Sequence, residues 1–92
     1  MRIIWTDAAK SDVARLHDFL AQYDLEAADR VFDRLIAAPE ALQDFPRRGS
    51  RVGRYRSREV REFRTGKYIL RYELAGSDIF VLRFFHEREG RF

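Results

Sequence analysis

One histidine and two arginines in the second half of the chain could act together on a phosphodiester. A histidine side chain titrates near neutral pH and can move a proton, which makes His86 a candidate acid or base. Arg61 and Arg88 could stabilise the negative charge that builds on a phosphate while RNA is cut. These three residues are the catalytic candidates if the chain is a nuclease. The alternative is that His86 closes a strand and bonds a neighbouring carbonyl group.

Arginine dominates the basic charge of the chain and is unevenly distributed. Sixteen of the 18 basic residues are arginine, and the formal net charge is +3. Residues 1–46 carry a net charge of −4, whereas residues 47–92 carry +7. Guanidinium groups bind carboxylates and phosphates in a bidentate manner, so the asymmetry favours an acidic partner, either a protein segment or a nucleic acid backbone. A solvated basic surface is the alternative.

Composition limits the kinds of protein that this chain can be. Its 92 residues, of which 46% are hydrophobic, suffice for one folded domain over residues 1–92. The absence of cysteine excludes a disulfide framework, and His17 and His86 lie far apart, so neither a metal site nor a cofactor is expected. No apolar run approaches the roughly 20 residues that cross a bilayer, and no secretory signal is present, so a cytoplasmic location is expected.

Two amphipathic helices are predicted after a short strand at residues 2–5. Thr6 is placed to cap a helix that runs from Asp7 to about Tyr23, and Asp24 is placed to cap the second. Apolar stripes are formed by Val13, Leu16, Leu20 and Tyr23 in the first helix and by Ala28, Val31, Phe32, Leu35, Ile36, Leu42 and Phe45 in the second. Pro39 removes an amide hydrogen, so a kink or break is expected there.

Three strands are predicted after an arginine-rich loop. Residues 47–58 contain six arginines and almost nothing apolar, which indicates an exposed loop. The strands are predicted at residues 60–64, 68–74 and 79–85. The last is apolar on nearly both faces and should lie inside the sheet. The element order is β-α-α-β-β-β, which predicts an α+β fold with a helical hairpin packed on one face of a mostly antiparallel sheet.

A set of short motifs in this order resembles the ParE branch of the RelE/ParE superfamily of toxin–antitoxin toxins. The matching residues are Ala27 and Ala28 in the second helix; Leu42, Phe45, Pro46 and Gly49 after it; Val60 and Arg61; Tyr68 and Tyr72; and His86 and Arg88. The resemblance covers nearly the whole chain and implies the RelE/ParE-like fold.

The resemblance also implies a function and a partner. It implies the toxin of a type II toxin–antitoxin module, bound as a hetero-oligomer by a cognate antitoxin whose acidic C-terminal segment docks on the sheet and the helical hairpin. The antitoxin-binding residues expected on this basis are Leu16, Leu20, Phe32, Phe63, Ile69, Arg71 and Phe84.

The superfamily contains ribosome-dependent mRNA endonucleases, which are RelE-like, and inhibitors of DNA gyrase, which are ParE-like. RelE-type nucleases place lysines and an arginine where this sequence has Val60, Glu62 and Ile69, and only Arg88 matches a cationic position of that pattern. The resemblance therefore implies a toxin that binds a protein target, DNA gyrase, and is not itself an enzyme. The alternative is an mRNA interferase of the RelE type. A third interpretation, which rests on the arginine content alone, is a nucleic-acid-binding module without toxicity.

A target-binding surface is expected near one end of the sheet. Arg61, Arg83, His86 and Arg88 are its expected members. The strands that carry these residues can pair through the strand at residues 68–74, which could bring Arg61, Arg83 and Arg88 together. Such a patch would bind an acidic protein surface without a group that transfers protons.

Overall fold

Two α-helices cover one face of a five-stranded sheet in the computed structural model, which describes residues 1–89. The elements are β1 (Arg2–Trp5), α1 (Asp7–Ala21), α2 (Leu25–Ala37), a 3-10 helix (Ala38–Leu42), β2 (Ser50–Arg51), β3 (Glu59–Thr65), β4 (Tyr68–Ala75) and β5 (Asp78–His86). The predicted α+β fold with a helical hairpin is confirmed. The two-residue strand β2, which pairs with β3, was not predicted.

The strand order places the most apolar strand inside the sheet. The order is β1-β5-β4-β3-β2, with β1 parallel to β5 and the other neighbours antiparallel. Because β5 is flanked by β1 and β4, its backbone hydrogen bonds are made on both edges, as the two-sided apolar pattern predicted. As also predicted, β4 lies between β3 and β5 and joins them.

Both helices begin where their capping residues predict. The Thr6 hydroxyl accepts a hydrogen bond from the Ala9 amide at 3.1 Å, and the Asp24 carboxylate accepts one from the Ala27 amide at 3.0 Å. The second helix ends at Ala37, two residues before Pro39, and continues as the 3-10 turn. The break expected at Pro39 is therefore present.

The core lies between the helices and the facing side of the sheet. Leu35, Leu42 and Tyr72 are fully buried there. Leu20 is only half-buried. The apolar stripe predicted for α2 is wider than the part of the helix that packs on the rest of the protein. Phe32 and Ile36 belong to this stripe but remain 40% and 45% exposed.

The opposite face of the sheet is partly covered by the arginine-rich loop. The Val52 amide donates to the Val60 carbonyl at 2.8 Å, and Arg58 pairs with Glu73 at 2.8 Å. Arg71 is buried on this face between the ring of Phe85, 5.3 Å away, and a carboxylate of β3. The loop is exposed along most of its length, as predicted, although it also packs against the sheet.

The second half of β5 and the first half of α1 are linked by a buried carboxylate. Pairing between β4 and β5 shifts at a bulge that leaves Leu82 without a residue opposite. The Asp12 carboxylate accepts hydrogen bonds from the Phe84 amide at 2.9 Å and from Arg83 at 2.7 Å. These contacts fix α1 on the sheet just beyond the bulge. Within residues 1–89, no helix combines the length and the hydropathy that a membrane span requires.

A histidine–aspartate pair joins α1 to α2. The Nε2 atom of His17 lies 2.8 Å from Asp29 Oδ1, and Nδ1 lies 3.5 Å from Asp18 Oδ1. The hydrogen bond with Asp29, assisted by Asp18, raises the pKa of His17 above 6.5. Because the pKa is raised by folding, the pair stabilises the hairpin fully below about pH 6.5, and this contribution is lost as the pH rises through the folded-state pKa.

Replacing Asp29 by Asn is expected to lower the pKa of His17 toward its ordinary value. An NMR titration of the His17 ring proton measures this change, and the exposed Glu26→Gln substitution on the same helix is the control. Equal His17 titration curves in the wild-type and Asp29→Asn proteins would contradict this interhelical pair.

Candidate functional site

A cavity of about 610 Å³ opens between α1 and the end of the sheet. Its apolar wall comes from Leu16, Phe19 and Leu20 of α1, and its other wall contains Tyr68, His86 and Arg88. Phe19 is 61% exposed at the mouth. The cavity thus combines an apolar surface with a histidine and an arginine, two of the residues singled out by sequence.

His86 is held in the cavity wall by the turn that follows β5. Its ring packs edge-on against Tyr68, with 5.2 Å between ring centroids. Its Nδ1 atom accepts a hydrogen bond from the backbone amide of Arg88 at 3.1 Å. A neutral His86 ring in this arrangement carries its proton on Nε2. The histidine therefore closes the turn after the strand, through an amide rather than through a carbonyl group.

The turn is fixed from α1 by a second contact. The Glu89 carboxylate accepts from the His86 amide at 2.8 Å, and the Glu89 amide donates to the His86 carbonyl at 2.9 Å. Arg15 pairs with the same carboxylate of Glu89 and also with Asp12, at 3.2 Å. Arg15 thus connects the buried carboxylate of α1 to the turn that carries His86. The sequence analysis identified neither Arg15 nor Glu89, because their pairing depends on the tertiary fold.

Arg61 lies away from this cavity. It faces Tyr72 on β4, four residues along that strand from Tyr68. Its guanidinium group donates to the Gly49 carbonyl at 2.7 Å and to Glu59 at 2.9 Å. Arg61 therefore holds the loop before β2 against the sheet. The expectation that it converges with Arg88 is wrong.

The surroundings of Gly49 explain why this loop is tightly bound. The Tyr72 hydroxyl donates to the Pro46 carbonyl at 2.7 Å and accepts from the Gly49 amide at 2.9 Å. A Cβ atom on Gly49 would lie 2.7 Å from the Glu62 carbonyl oxygen, which leaves room only for glycine. Burial raises the pKa of the Tyr72 phenol, so that this hydroxyl keeps its proton and its donor role.

Arg83 also has a structural contact. It pairs with Asp12 at 2.7 Å and is half-buried beside the bulge. Of the four expected target-binding residues, the structure brings His86 and Arg88 together in one cavity and leaves Arg61 and Arg83 outside its lining. The sequence could not predict that Arg83 lies outside the cavity lining, because its position depends on the bulge in β5 and on its ion pair with the buried Asp12.

Three of the positions that carry cations in RelE-type nucleases carry none here, whereas Arg88 matches a fourth. Val60 and Ile69 are buried in the face of the sheet opposite the helices. Glu62 pairs with Arg71 at 2.7 Å. These side chains supply neither a proton donor nor a positive charge for a phosphate. Residues 1–89 also contain no group of metal-binding side chains.

The seven residues expected to contact the antitoxin differ in how much of each side chain is exposed to solvent. Leu16, Ile69, Arg71 and Phe84 are buried in the isolated chain. Leu20 and Phe63 are half-buried, and Phe32 is exposed. Only the last three present side-chain surface, because the buried four form the packing between the helices and the sheet or beneath the loop. Phe19 on α1 and Tyr23, two residues past its end, are more exposed than any of the seven, at 61% and 74%. The placement of Tyr23 in the apolar stripe is wrong, because the helix ends at Ala21 and leaves this ring in solvent.

Comparison with known proteins assigns the chain to a family. Residues 3–90 match the family model described as the ParE toxin of the type II toxin–antitoxin system parDE. The chain belongs to the ParE toxin family. It is therefore a type II toxin–antitoxin toxin of the ParE/RelE kind.

Individual relatives agree with this assignment. Toxin RelE1 of Caulobacter vibrioides is 39% identical over 84 residues, which cover 90% of this chain and 89% of that protein. Toxin RelE2 of the same organism is 29% identical and covers 92% of this chain and 93% of its own length. A solved structure described as the chromosomal ParDE system from P. aeruginosa has the same fold, with a TM-score of 0.75 at 18% identity over 94% of this chain and 95% of that one.

Proposed function

We propose that this ParE-family toxin arrests growth by binding a protein target, DNA gyrase, and that it cuts no RNA. A cognate antitoxin neutralises it by covering its surface. The proposal rests on the residues at the nuclease positions and on the separation of the three candidate catalytic residues.

The arrangement of Arg61, His86 and Arg88 carries this proposal. Cleavage of RNA by a 2′-hydroxyl needs a base, an acid and cations around one phosphate. His86 and Arg88 share the cavity, but Arg61 lies on β3 opposite Tyr72, which is four residues along β4 from the Tyr68 of the cavity wall. There Arg61 is bound to the Gly49 carbonyl and the Glu59 carboxylate. Arg15 and Glu89 also line the cavity, but they pair with each other, and burial raises the pKa of Tyr68 and makes its phenol a weaker acid. His86 therefore has no second proton-transfer group of suitable pKa beside it. The site is therefore better suited to binding than to catalysis.

The cavity supplies a surface of the kind that protein targets use. Its wall of Leu16, Phe19 and Leu20 can receive an apolar side chain, and Arg88 can pair with a carboxylate beside it. His86 then contributes an Nε2–H donor rather than a catalytic base. In this proposal Arg61 and Arg83 support the target surface by holding the loop and the bulge in place.

Antitoxin binding is proposed at the exposed apolar residues of the hairpin and the sheet edge. Leu20, Phe32 and Phe63 are the accessible members of the expected set. The solved neighbour is a ParDE toxin–antitoxin system, which supports a partner of this kind. The +7 charge of residues 47–92 favours an acidic segment in that partner.

Replacing His86 by Gln is expected to leave growth arrest intact, because glutamine keeps a donor in the cavity and no proton transfer is needed. Arg88→Glu is expected to weaken growth arrest by reversing the charge at the cavity mouth. Both variants are first checked for folding by circular dichroism and thermal unfolding. Growth arrest is then measured together with the integrity of cellular messages. Loss of arrest in a folded His86→Gln protein, together with loss of message cleavage, would favour the mRNA interferase instead.

A further inference from the structure

Residues 50–58 are the part of the arginine-rich loop that begins with β2, and we name this part the arginine loop. Its apolar side chains turn toward the sheet. Val52 and Tyr55 are half-buried. The Val52 amide is bound to the Val60 carbonyl at 2.8 Å, so the loop is fixed to the edge of β3. The guanidinium groups of Arg54 and Arg58 lie 5.2 and 5.3 Å from the centre of the Tyr55 ring. The loop therefore presents a defined surface rather than a loose chain.

Part of the charge of this loop is not neutralised within the described structure. Arg58 pairs with Glu73 at 2.8 Å. Arg51 and Arg56 are exposed, and among residues 1–89 neither has a carboxylate within ion-pair distance. Two exposed guanidinium groups thus remain on a loop that contains no acidic residue.

The outward-facing residues of the loop suit a sugar–phosphate backbone better than a protein surface. They are arginine, serine and glycine, with no exposed apolar side chain that could anchor a protein interface. Arginine binds phosphate in a bidentate manner, and serine hydroxyls are common phosphate contacts. A Cβ atom at Gly53 would meet nothing within 4 Å, so the backbone there is open to close approach.

We infer that the arginine loop binds the phosphate backbone of duplex nucleic acid without sequence preference. Contacts to phosphate position a protein but carry no base-specific information. Single-stranded nucleic acid is usually bound by exposed aromatic rings on which bases stack. The one aromatic ring of the loop, Tyr55, is half-buried with arginines against it, and this arrangement favours a duplex.

The test uses the purified full-length chain and a fluorescently labelled 20-base-pair DNA duplex. Anisotropy gives the affinity at a series of salt concentrations for the wild type, for Arg51→Gln with Arg56→Gln, and for a control. The control, Lys10→Gln with Arg30→Gln, removes the same charge from exposed positions on the helices. Each phosphate contact contributes about −0.9 to the slope of log affinity against log salt. Because the loop variant lacks two arginines, its slope is expected to be less negative than the wild-type slope by about 2. The control should retain the wild-type slope.

Three results would overturn the inference. The first is an equal loss of affinity in the loop variant and the control, which would show only an effect of net charge. The second is tighter binding of a single-stranded oligonucleotide than of the duplex. The third is loop-dependent binding of a poly-glutamate peptide without binding of the duplex, which would identify an acidic protein as the partner. None of these results bears on gyrase inhibition, because growth arrest by the loop variant is measured separately.

Discussion

Leu35→Ala is expected to lower the free energy of unfolding by about 2–5 kcal/mol, the range for a large-to-small change in a packed core. Leu35 lies on α2 and is fully buried against the sheet. A domain of this size has about 5–15 kcal/mol of total stability, so the change removes a large share of it. Urea unfolding followed by circular dichroism measures the loss.

The next residue of α2 is a matched control. Ile36 is also a large aliphatic residue but is 45% exposed. Ile36→Ala removes less buried surface and is expected to cost under about 1.5 kcal/mol. Equal unfolding midpoints for Leu35→Ala and the wild type would contradict the packing of α2 on the sheet.

Asp12→Ala is expected to cost about 2–4 kcal/mol, because it leaves the buried Phe84 amide without an acceptor and removes the link between α1 and the bulge. The Asp12 side chain is almost fully buried and binds Phe84, Arg83 and Arg15. The exposed Asp33→Ala substitution on α2 is the control, with little expected change. Thermal unfolding of both variants tests the contribution of Asp12, and equal melting temperatures would refute it.

The pH dependence of stability gives a second test of Asp12. Burial is the largest single influence and raises the pKa, but the hydrogen bonds from Arg83, Phe84 and Arg15 outweigh it and lower the pKa below 3.8. Because folding lowers this pKa, the contribution is present above about pH 4 and is lost as the pH falls through the folded-state value. The difference in stability between the wild type and Asp12→Ala should therefore shrink in acid.

Much of the fold could be predicted from local patterns. The helix starts after Thr6 and Asp24 and the break at Pro39 follow from interactions within a few residues. The interior position of β5 follows from its two-sided apolar pattern. Strand β2 was missed because its two residues are both exposed, so no apolar alternation marks it. Periodicity places Phe32 in the apolar stripe of the second helix, but it gives only the direction of a stripe and not the width of the surface that covers it, so the 40% exposure of Phe32 could not be predicted.

The candidate site was harder to predict, since it depends on contacts between distant residues. His86 and Arg88 were identified because they lie two positions apart in one motif and meet in one turn. Arg61 was misplaced because strand order alone does not give the register, which sets it opposite Tyr72 rather than Tyr68. Asp12 and Arg15 gave no sequence signal, because a buried aspartate on a helix is indistinguishable from a solvated one until the sheet is positioned.

The supercoiling of relaxed plasmid by purified DNA gyrase tests the central claim most directly. The wild-type toxin is expected to inhibit this reaction, the His86→Gln toxin to inhibit it equally, and the Arg88→Glu toxin to inhibit it less. Ribosomes translating a defined message are treated with the same proteins in parallel, and the message is expected to remain intact. Unchanged gyrase activity together with cleavage of the ribosome-bound message would contradict the proposed function.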